Sequence, residues 1–295
     1  MYKKIAEGAK HEKSAVAVAC AEDSHVLEAV YDAREMATFV LIGDANKIRE
    51  AAEEAKADIS GMEIVDEPDA AKACAYAVSL VSDGKADALM KGLVDTSVIM
   101  KAVLNKEAGM RTGRTLSHLA VFELPTYHKL LFVTDAAINI SPDLATKREI
   151  VQNSVEAVNN LGITNPKVAM LAAKEKADAK MPVTMDAAEL STMYENGEIT
   201  NCILDGPLAL DNAVSRESAE IKGIESPVAG DADILVCPNI ESGNILYKSL
   251  AFLGGGKNGG VVLGAKKPVI LTSRADSAES KTISIALGIL SGRNV

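Results

Sequence analysis

The sequence predicts an α/β protein of two lobes with a cleft between them. Three observations carry that expectation. Short apolar runs alternate with helix-patterned segments almost throughout, the signature of β-α-β units and a parallel sheet. The alternation breaks once, around residues 116–137, where two strand-like runs are joined by a connection too short for a crossover helix. After that break a second alternating series begins, and a final strand–helix pair is left over at the end of the chain.

In the first series, Ala15–Ala19, Thr38–Ile42, Met62–Val65 and Ala86–Met90 read as strands. Val26–Met36, Lys47–Ala57 and Asp69–Val81 between them read as helices, with right-handed crossovers. Leu116–Leu124 and Leu130–Ala136 flank Pro125-Thr-Tyr-His-Lys129, so they are expected to be antiparallel or to pass from one lobe to the other. Thr146–Leu161 carries Ile150, Val151, Val155, Val158 and Leu161 on one helical face and stops at Gly162. Strands follow at Val168–Ala172, Cys202–Leu204, Ile234–Cys237 and Val261–Leu263, with helices at Met185–Tyr194 and Gly243–Phe252. The last pair, Val269–Thr272 and Ser277–Leu290, returns most simply to the first lobe. The expected division is therefore 1–133 plus 266–295 for a discontinuous first lobe and 134–265 for the second.

At 295 residues the chain suits about two domains, and a fold of this size buries roughly 75% of its unfolded surface. Trp is absent and only 4 Phe and 6 Tyr occur, so the core is aliphatic. A formal net charge of −10 argues against nucleic acid or an anionic membrane as partner. Cys20, Cys74, Cys202 and Cys237 form no C-x-x-C pair and read as reduced core thiols. The start of the chain lacks the apolar core of a signal peptide and no window is long enough to span a bilayer, which points to the cytoplasm.

An anionic ligand must then be met by locally placed cations at the carboxyl ends of strands, where open parallel sheets hold their ligands and helix amino ends favour anions. Lys267-Pro-Val-Ile-Leu-Thr-Ser-Arg-Ala-Asp-Ser-Ala-Glu279 is such an edge: an apolar run ends in Ser273 and Arg274 and passes into an acid-led helix start containing Asp276. A hydroxyl and a fixed cation there suit phosphate or a developing oxyanion, although Ser as a cap and Arg as a surface charge also account for the pair. Asp233–Lys248 is a second edge, with Asn239, Ser242, Gly243 and Asn244 in the turn and Lys248 further along the helix; a turn with Ser242 as cap accounts for it equally. A third is Ala88–Thr96, where Lys91 and Gly92 end a strand and Asp95 or Thr96 opens a helix. Downstream, Arg111, Arg114 and His118 are expected in a reachable loop, and Asp205 ends a further apolar run.

Gly254-Gly-Gly-Lys-Asn-Gly-Gly260 follows a helix and precedes a strand, the reverse of a nucleotide-binding loop, so a helix cap with a flexible connection competes with an anion cradle. The four histidines have no metal-ligand spacing, and there is no G-x-S-x-G elbow. A reaction without an enzyme-bound covalent intermediate follows.

Taken in order, Ala88–Thr96, Leu116–Phe122, Asp205–Asp211, Pro238–Lys248 and Leu271–Asp276 resemble the phosphate acetyl/butyryltransferase family, and within it the phosphate butyryltransferases, over nearly all of the chain after about residue 10. The resemblance implies a fold similar to the isocitrate and isopropylmalate dehydrogenases, and a homodimer or larger assembly. It implies transfer of an acyl group between coenzyme A and phosphate, with acyl-CoA, phosphate and acyl phosphate as substrates, butyryl preferred, and no tightly bound cofactor or metal. It gives Ser273 the task of orienting the thiol and Arg274 that of stabilising charge on the acyl phosphate. Lys91, Gly92, Thr96, Asn239, Ser242, Asn244 and Lys248 then become substrate-binding candidates. The family acid that stands seven residues after the Ser is Ser280 here, so Asp276, Glu279, water or phosphate takes the thiol proton. Lys101 is the nearest match to one family arginine and Arg114 to another; lysine lacks the bidentate fork. A phosphate acetyltransferase, a decarboxylating dehydrogenase and a non-catalytic coenzyme A binding protein are the competing readings.

Overall fold

The computed structural model describes residues 2–11, 13–107, 110–272 and 276–293. It divides into two compact units, Met1–Arg114 with Asn258–Val295, and Thr115–Lys257. These boundaries differ from the expected 133/134 and 265/266, for reasons that lie in two strand pairings described below.

The first unit opens with α1 (Tyr2–Ala9), then β1 (Ser14–Ala19), α2 (Ser24–Asp32), β2 (Ala37–Gly43), α3 (Ala45–Ala55), β3 (Glu63–Asp66), α4 (Ala70–Ser82), β4 (Ala88–Lys91) and α5 (Thr96–Val103). Asp is the recurring start signal. Asp23, Asp44 and Asp69 each accept from a first-turn amide of the helix they precede. β1 pairs in parallel with β2 and with β4, and β2 with β3. The last four residues of β1 are buried on both faces, as expected of a strand covered by helices on each side.

In the second unit, β5 (Ser117–Glu123) and β6 (Leu131–Thr134) form an antiparallel hairpin in which Val121 faces Phe132. That pairing keeps both strands in one unit and moves the boundary back to Arg114. Then come α6 (Leu144–Asn160), β7 (Lys167–Leu171), α7 (Pro182–Glu195), β8 (Ile203–Leu208), α8 (Leu210–Val214), α9 (Arg216–Ile221), β9 (Ile234–Val236) and α10 (Ile240–Lys248). The order β6-β9-β7-β8 is parallel throughout. Phe122, Leu131, Val133, Leu171 and Leu235 meet in its core.

A turn of π-helix, Ser249–Leu253, follows α10 before β10 (Lys257–Leu263), β11 (Val269–Ile270) and α11 (Ala278–Ser291) complete the fold. β10 runs antiparallel to β11, Val262 against Val269, and β11 runs parallel to β4, Val269 against Leu89 and Ile270 against Met90. These pairings draw the chain from residue 258 onward into the first unit. The strand begins at Lys257, not Val261, so the glycine-rich segment is partly strand. Its glycines have a packing reason. A Cβ on Gly259 would stand 2.6 Å from the Ile283 side chain and 2.8 Å from the Ser284 nitrogen of α11, and the Gly260 amide donates to Ser284 Oγ at 2.9 Å.

At the amino ends of the second unit's strands, Asp231 and Asp233 gather three basic groups. His128 Nε2 and Lys167 Nζ each lie 2.7 Å from an Asp231 carboxylate oxygen, and Lys129 Nζ reaches Asp231 at 3.0 Å and Asp233 at 2.8 Å. Burial works to raise the Asp231 carboxyl, but hydrogen bonds from Lys167, His128 and Lys129 outweigh it and hold the group well below the usual carboxylate range. A depressed folded pKa contributes stability above the unfolded value of about 3.9, and that contribution fades as pH falls through the folded pKa.

Two outcomes follow. Gly259→Ala forces α11 away from β10 and lowers unfolding free energy by about 1–3 kcal/mol in urea titrations. Asp231→Asn costs about 2 kcal/mol at pH 7, the scale of one hydrogen bond to a charged group, and the gap to wild type in thermal melts narrows as pH drops below about 4.

Candidate active site

The parallel register of β1, β4 and β11 sets one carboxyl edge of the first unit. Ala19 is level with Lys91, and Ile270 with Met90, so Cys20, Gly92 and Thr272 emerge side by side. Ser273 and Arg274 lie outside the described residues; their flanks, Thr272 and Asp276, are at or just beyond this edge. Asp276 is partly exposed and stands two residues ahead of α11, whose cap is Ser277 accepting from the Ser280 amide.

Lys91 is 5% exposed, and its ammonium turns back to donate to the carbonyls of Gly92 at 3.3 Å and Val94 at 3.0 Å. The lysine therefore places a buried positive charge beneath the β4–α5 turn and braces that turn at the same time. Gly92 has a separate cause. A Cβ there would stand 2.0 Å from the Cys20 carbonyl oxygen, because the Gly92 amide donates to Ala19 and the Leu93 amide to Cys20. Asp95 occupies the cap position of α5, and its side chain makes no capping hydrogen bond, unlike the aspartates of α2, α3 and α4. Thr96, exposed, begins α5; Lys101, also exposed, sits in its last turn, about 140° further round the helix at 100° per residue.

Arg114 is exposed, in a segment strapped to the β10–β11 turn. Thr112 Oγ1 donates to Gly264 at 2.6 Å, Arg111 bridges Ala265, and the Lys266 amide donates to Met110. The structure thus ties this segment to the start of β11 rather than to the Lys91 edge. His118, expected in a reachable loop, lies instead in β5, 7% exposed and edge-on to Tyr247 with ring centroids 6.0 Å apart. The hairpin pairing claims it.

The second unit has its own carboxyl edge after β6 and β9. Asn239, not Ser242, caps α10: its Oδ1 accepts from the Ser242 amide at 3.0 Å and from Ser242 Oγ at 2.8 Å, so the helix begins three residues earlier than the sequence pattern suggests. Gly243 lies where a Cβ would meet the Asp135 carbonyl at 2.2 Å, and Asn244 Nδ2 donates to Ala136 at 3.2 Å. Asn239, Ser242 and Asn244 are brought together in this turn. Lys248, exposed, ends α10 two turns later. Asp135 was missed by sequence reasoning. It is 3% exposed, and its carboxylate accepts from the amides of Ala137, Ile138 and Asn139 and from Asn139 Nδ2 at 2.6–3.2 Å, fixing the loop against which α10 packs. A lone Asp in Thr-Asp-Ala-Ala carries no pattern that announces this.

A cavity of about 860 Å³ opens beyond β7 and β8, lined by Lys174, Glu175, Asp178, Asp205 and Lys222 among others. Its charges are largely neutralised internally. Lys222 reaches Glu175 at 3.0 Å and Asp211 at 2.9 Å, Lys174 pairs with Asp178, and Asp205 accepts from its neighbour's amide at 2.8 Å.

The thiols are placed for packing. All four cysteines are buried and free, and burial pushes Cys202 up to about 11 and Cys237 up to about 12, the latter helped by Asp135. The hydrogen bond with Cys74, with burial added, raises the Cys20 thiol. The same hydrogen bond lowers the Cys74 thiol, while Cys20, Cys202 and Cys237, so hard to ionise, make poor nucleophiles. Among the described residues no cluster of His, Cys, Asp and Glu is arranged to hold a metal ion, and no helix is long and apolar enough to cross a membrane.

Comparison with known proteins places the chain in a family. The chain is 51% identical over 285 residues to phosphate butyryltransferase from Clostridium acetobutylicum, spanning 96% of this chain and 95% of that protein. It is 48% identical to the phosphate butyryltransferase of Clostridium beijerinckii, over 93% of this chain and 92% of the relative. Its fold superposes on the crystal structure of a branched-chain phosphotransacylase from Enterococcus faecalis V583 with a TM-score of 0.84 and 36% identity, covering 95% of this chain and 99% of that one. The family model for phosphate acetyl/butaryl transferase matches residues 1–75 and 67–289, nearly the whole sequence, and the chain belongs to that family.

Proposed function

We propose that this enzyme transfers a short-chain acyl group, butyryl preferred, between coenzyme A and inorganic phosphate, and that the residues at the ends of β4 and β11 serve the reacting atoms. The full-length likeness to proteins named phosphate butyryltransferase carries this reading.

In the direction of acyl phosphate, a phosphate oxygen attacks the thioester carbonyl carbon. The new C–O bond forms, the C–S bond breaks, and the sulfur leaves as a thiolate that takes a proton. Each stage concentrates negative charge, first on phosphate, then on the carbonyl oxygen, then on sulfur. Arg274 supplies a permanent cation for the first two, and Ser273 a hydroxyl that orients the sulfur and stabilises its charge. Lys91 supports the same edge through the Gly92 and Val94 carbonyls, and the α5 amino end with Thr96 adds amide donors facing phosphate. Asp276 is the acid placed to exchange a proton with the thiol. Lys101, Arg114, Asn239, Ser242, Asn244 and Lys248 are the remaining candidates for holding coenzyme A and phosphate. The reaction needs no tightly bound cofactor, and the enzyme is read as a cytoplasmic homodimer or larger assembly.

Each extra buried CH₂ is worth about 0.8 kcal/mol, so an acyl pocket with room for both extra carbons favours butyryl over acetyl by about fifteenfold. Steady-state thiol release from acetyl-, butyryl- and isobutyryl-CoA with phosphate is expected to rank butyryl above acetyl in kcat/KM; an acetyl preference refutes the butyryl assignment. Arg274→Ala is expected to lose about 2.7–4 kcal/mol of transition-state stabilisation, a fall of about 10²–10³ in kcat in the same assay. Ser273→Ala is expected to fall in kcat with a smaller change in the KM for phosphate.

A further inference from the structure

Lys281 is a charged side chain within the first unit's core, 2% exposed. From Lys281 to Ser291 every residue of α11 is buried. The other polar side chains of that stretch are satisfied locally: Thr282, Ser284 and Ser291 each donate to a carbonyl of α11 itself. Lys281 does otherwise. Its Nζ reaches back past the helix start and donates to the Asp276 carbonyl at 2.6 Å.

Two carboxylates attract the ammonium electrostatically, Asp276 ahead of α11 and Asp23 at the amino end of α2. Burial lowers the lysine's pKa, and both aspartates oppose that shift. Asp23 itself is held by the Val26 amide at 2.9 Å, just beyond the carboxyl end of β1. The lysine thus feels the carboxylate of the β1–α2 turn on one side and, on the other, donates to the residue that follows Ser273-Arg274-Ala275. Burying an ammonium is costly, and an apolar side chain of similar volume packs such a site without that cost. A cation kept here implies a use.

We infer that Lys281 is a positioning residue for acyl transfer that acts through Asp276: its buried ammonium holds the Asp276 backbone carbonyl, setting where that acid stands at the strand edge. The inference rests on the reading of Asp276 as the group that exchanges the thiol proton. It separates the charge that orders the edge from the charge that meets substrate.

A double-mutant cycle with Lys281→Met and Asp276→Asn tests it, with kcat and KM measured for butyryl-CoA and phosphate and thermal melting recorded for each protein. Lys281→Met is expected to lower kcat about tenfold or more while leaving each KM within about twofold. Lys281→Arg, which keeps a cation with donors, regains most of the loss. In the Asp276→Asn background, Lys281→Met removes less than about twofold more, because the position of residue 276 no longer matters once its carboxylate is gone. If Asp276→Asn is impaired and the two losses multiply, Lys281 acts elsewhere and the inference falls alone. If Asp276→Asn keeps full activity, the assignment of Asp276 falls and the inference with it. If Lys281→Met does not fold, Lys281→Arg and Lys281→Gln enter the same cycle; a Gln variant with wild-type kcat overturns the inference.

Discussion

The short parallel pairing of β11 with β4 is the constraint on which the candidate site depends. Only Val269 and Ile270 take part, opposite Leu89 and Met90, yet this ladder decides where the final segment of the chain enters the first unit. It brings Thr272 level with Gly92 and Cys20, and so joins chemistry written near residue 91 to chemistry written near residue 273. The ladder is held from both sides. β10 flanks β11 with the opposite direction, and α11 lies over it, keyed to β10 by the absence of a side chain at Gly259. Strand order, not sequence proximity, builds the edge, as the general placement of ligands in open α/β sheets requires.

Much of this was legible in the sequence. The alternation of apolar runs with helical faces located nearly every strand and long helix, because a strand buried on both sides leaves a continuous apolar run and an Asp before a helix marks its start. Boundaries were legible only to a few residues. Asn239 displaced Ser242 as the cap of α10 because both residue types cap well and only backbone direction decides between them. The glycine-rich stretch at 254–260 read as a loop because glycine favours loops; its strand character came from the requirement that α11 approach closely, which is a tertiary fact. His118 was placed in a loop on the strength of neighbouring glycine and arginine, whereas the hairpin partner at Thr134, donating to the His118 carbonyl at 2.8 Å, lies 16 residues away.

The buried charges were not legible at all. The sequence marks Lys91 as a cation at a strand end, and only the structure shows that it also braces the turn that follows. Lys281 carries no mark in the sequence that sets it apart from a surface lysine. Asp135 and Asp231 carry no motif, yet each organises several donors. Pattern reasoning assigns charges to the surface by default, and an acidic chain with a net charge of −10 gives no hint that certain lysines are interior. Lys91 and Lys281 put two ammonium groups inside the first unit, each donating to backbone carbonyls.

Gly92 and Gly243 show what such an edge costs in evolutionary freedom. In each unit a glycine faces the carbonyl of a neighbouring strand's exit, with 2.0 Å from the missing Cβ to Cys20 in one and 2.2 Å to Asp135 in the other. Main chain touches main chain at both places, so no side chain can be exchanged there to widen or narrow the floor. At these two turns the strand exit is fixed by backbone contact, and any variation in shape is left to residues that the backbone does not pin.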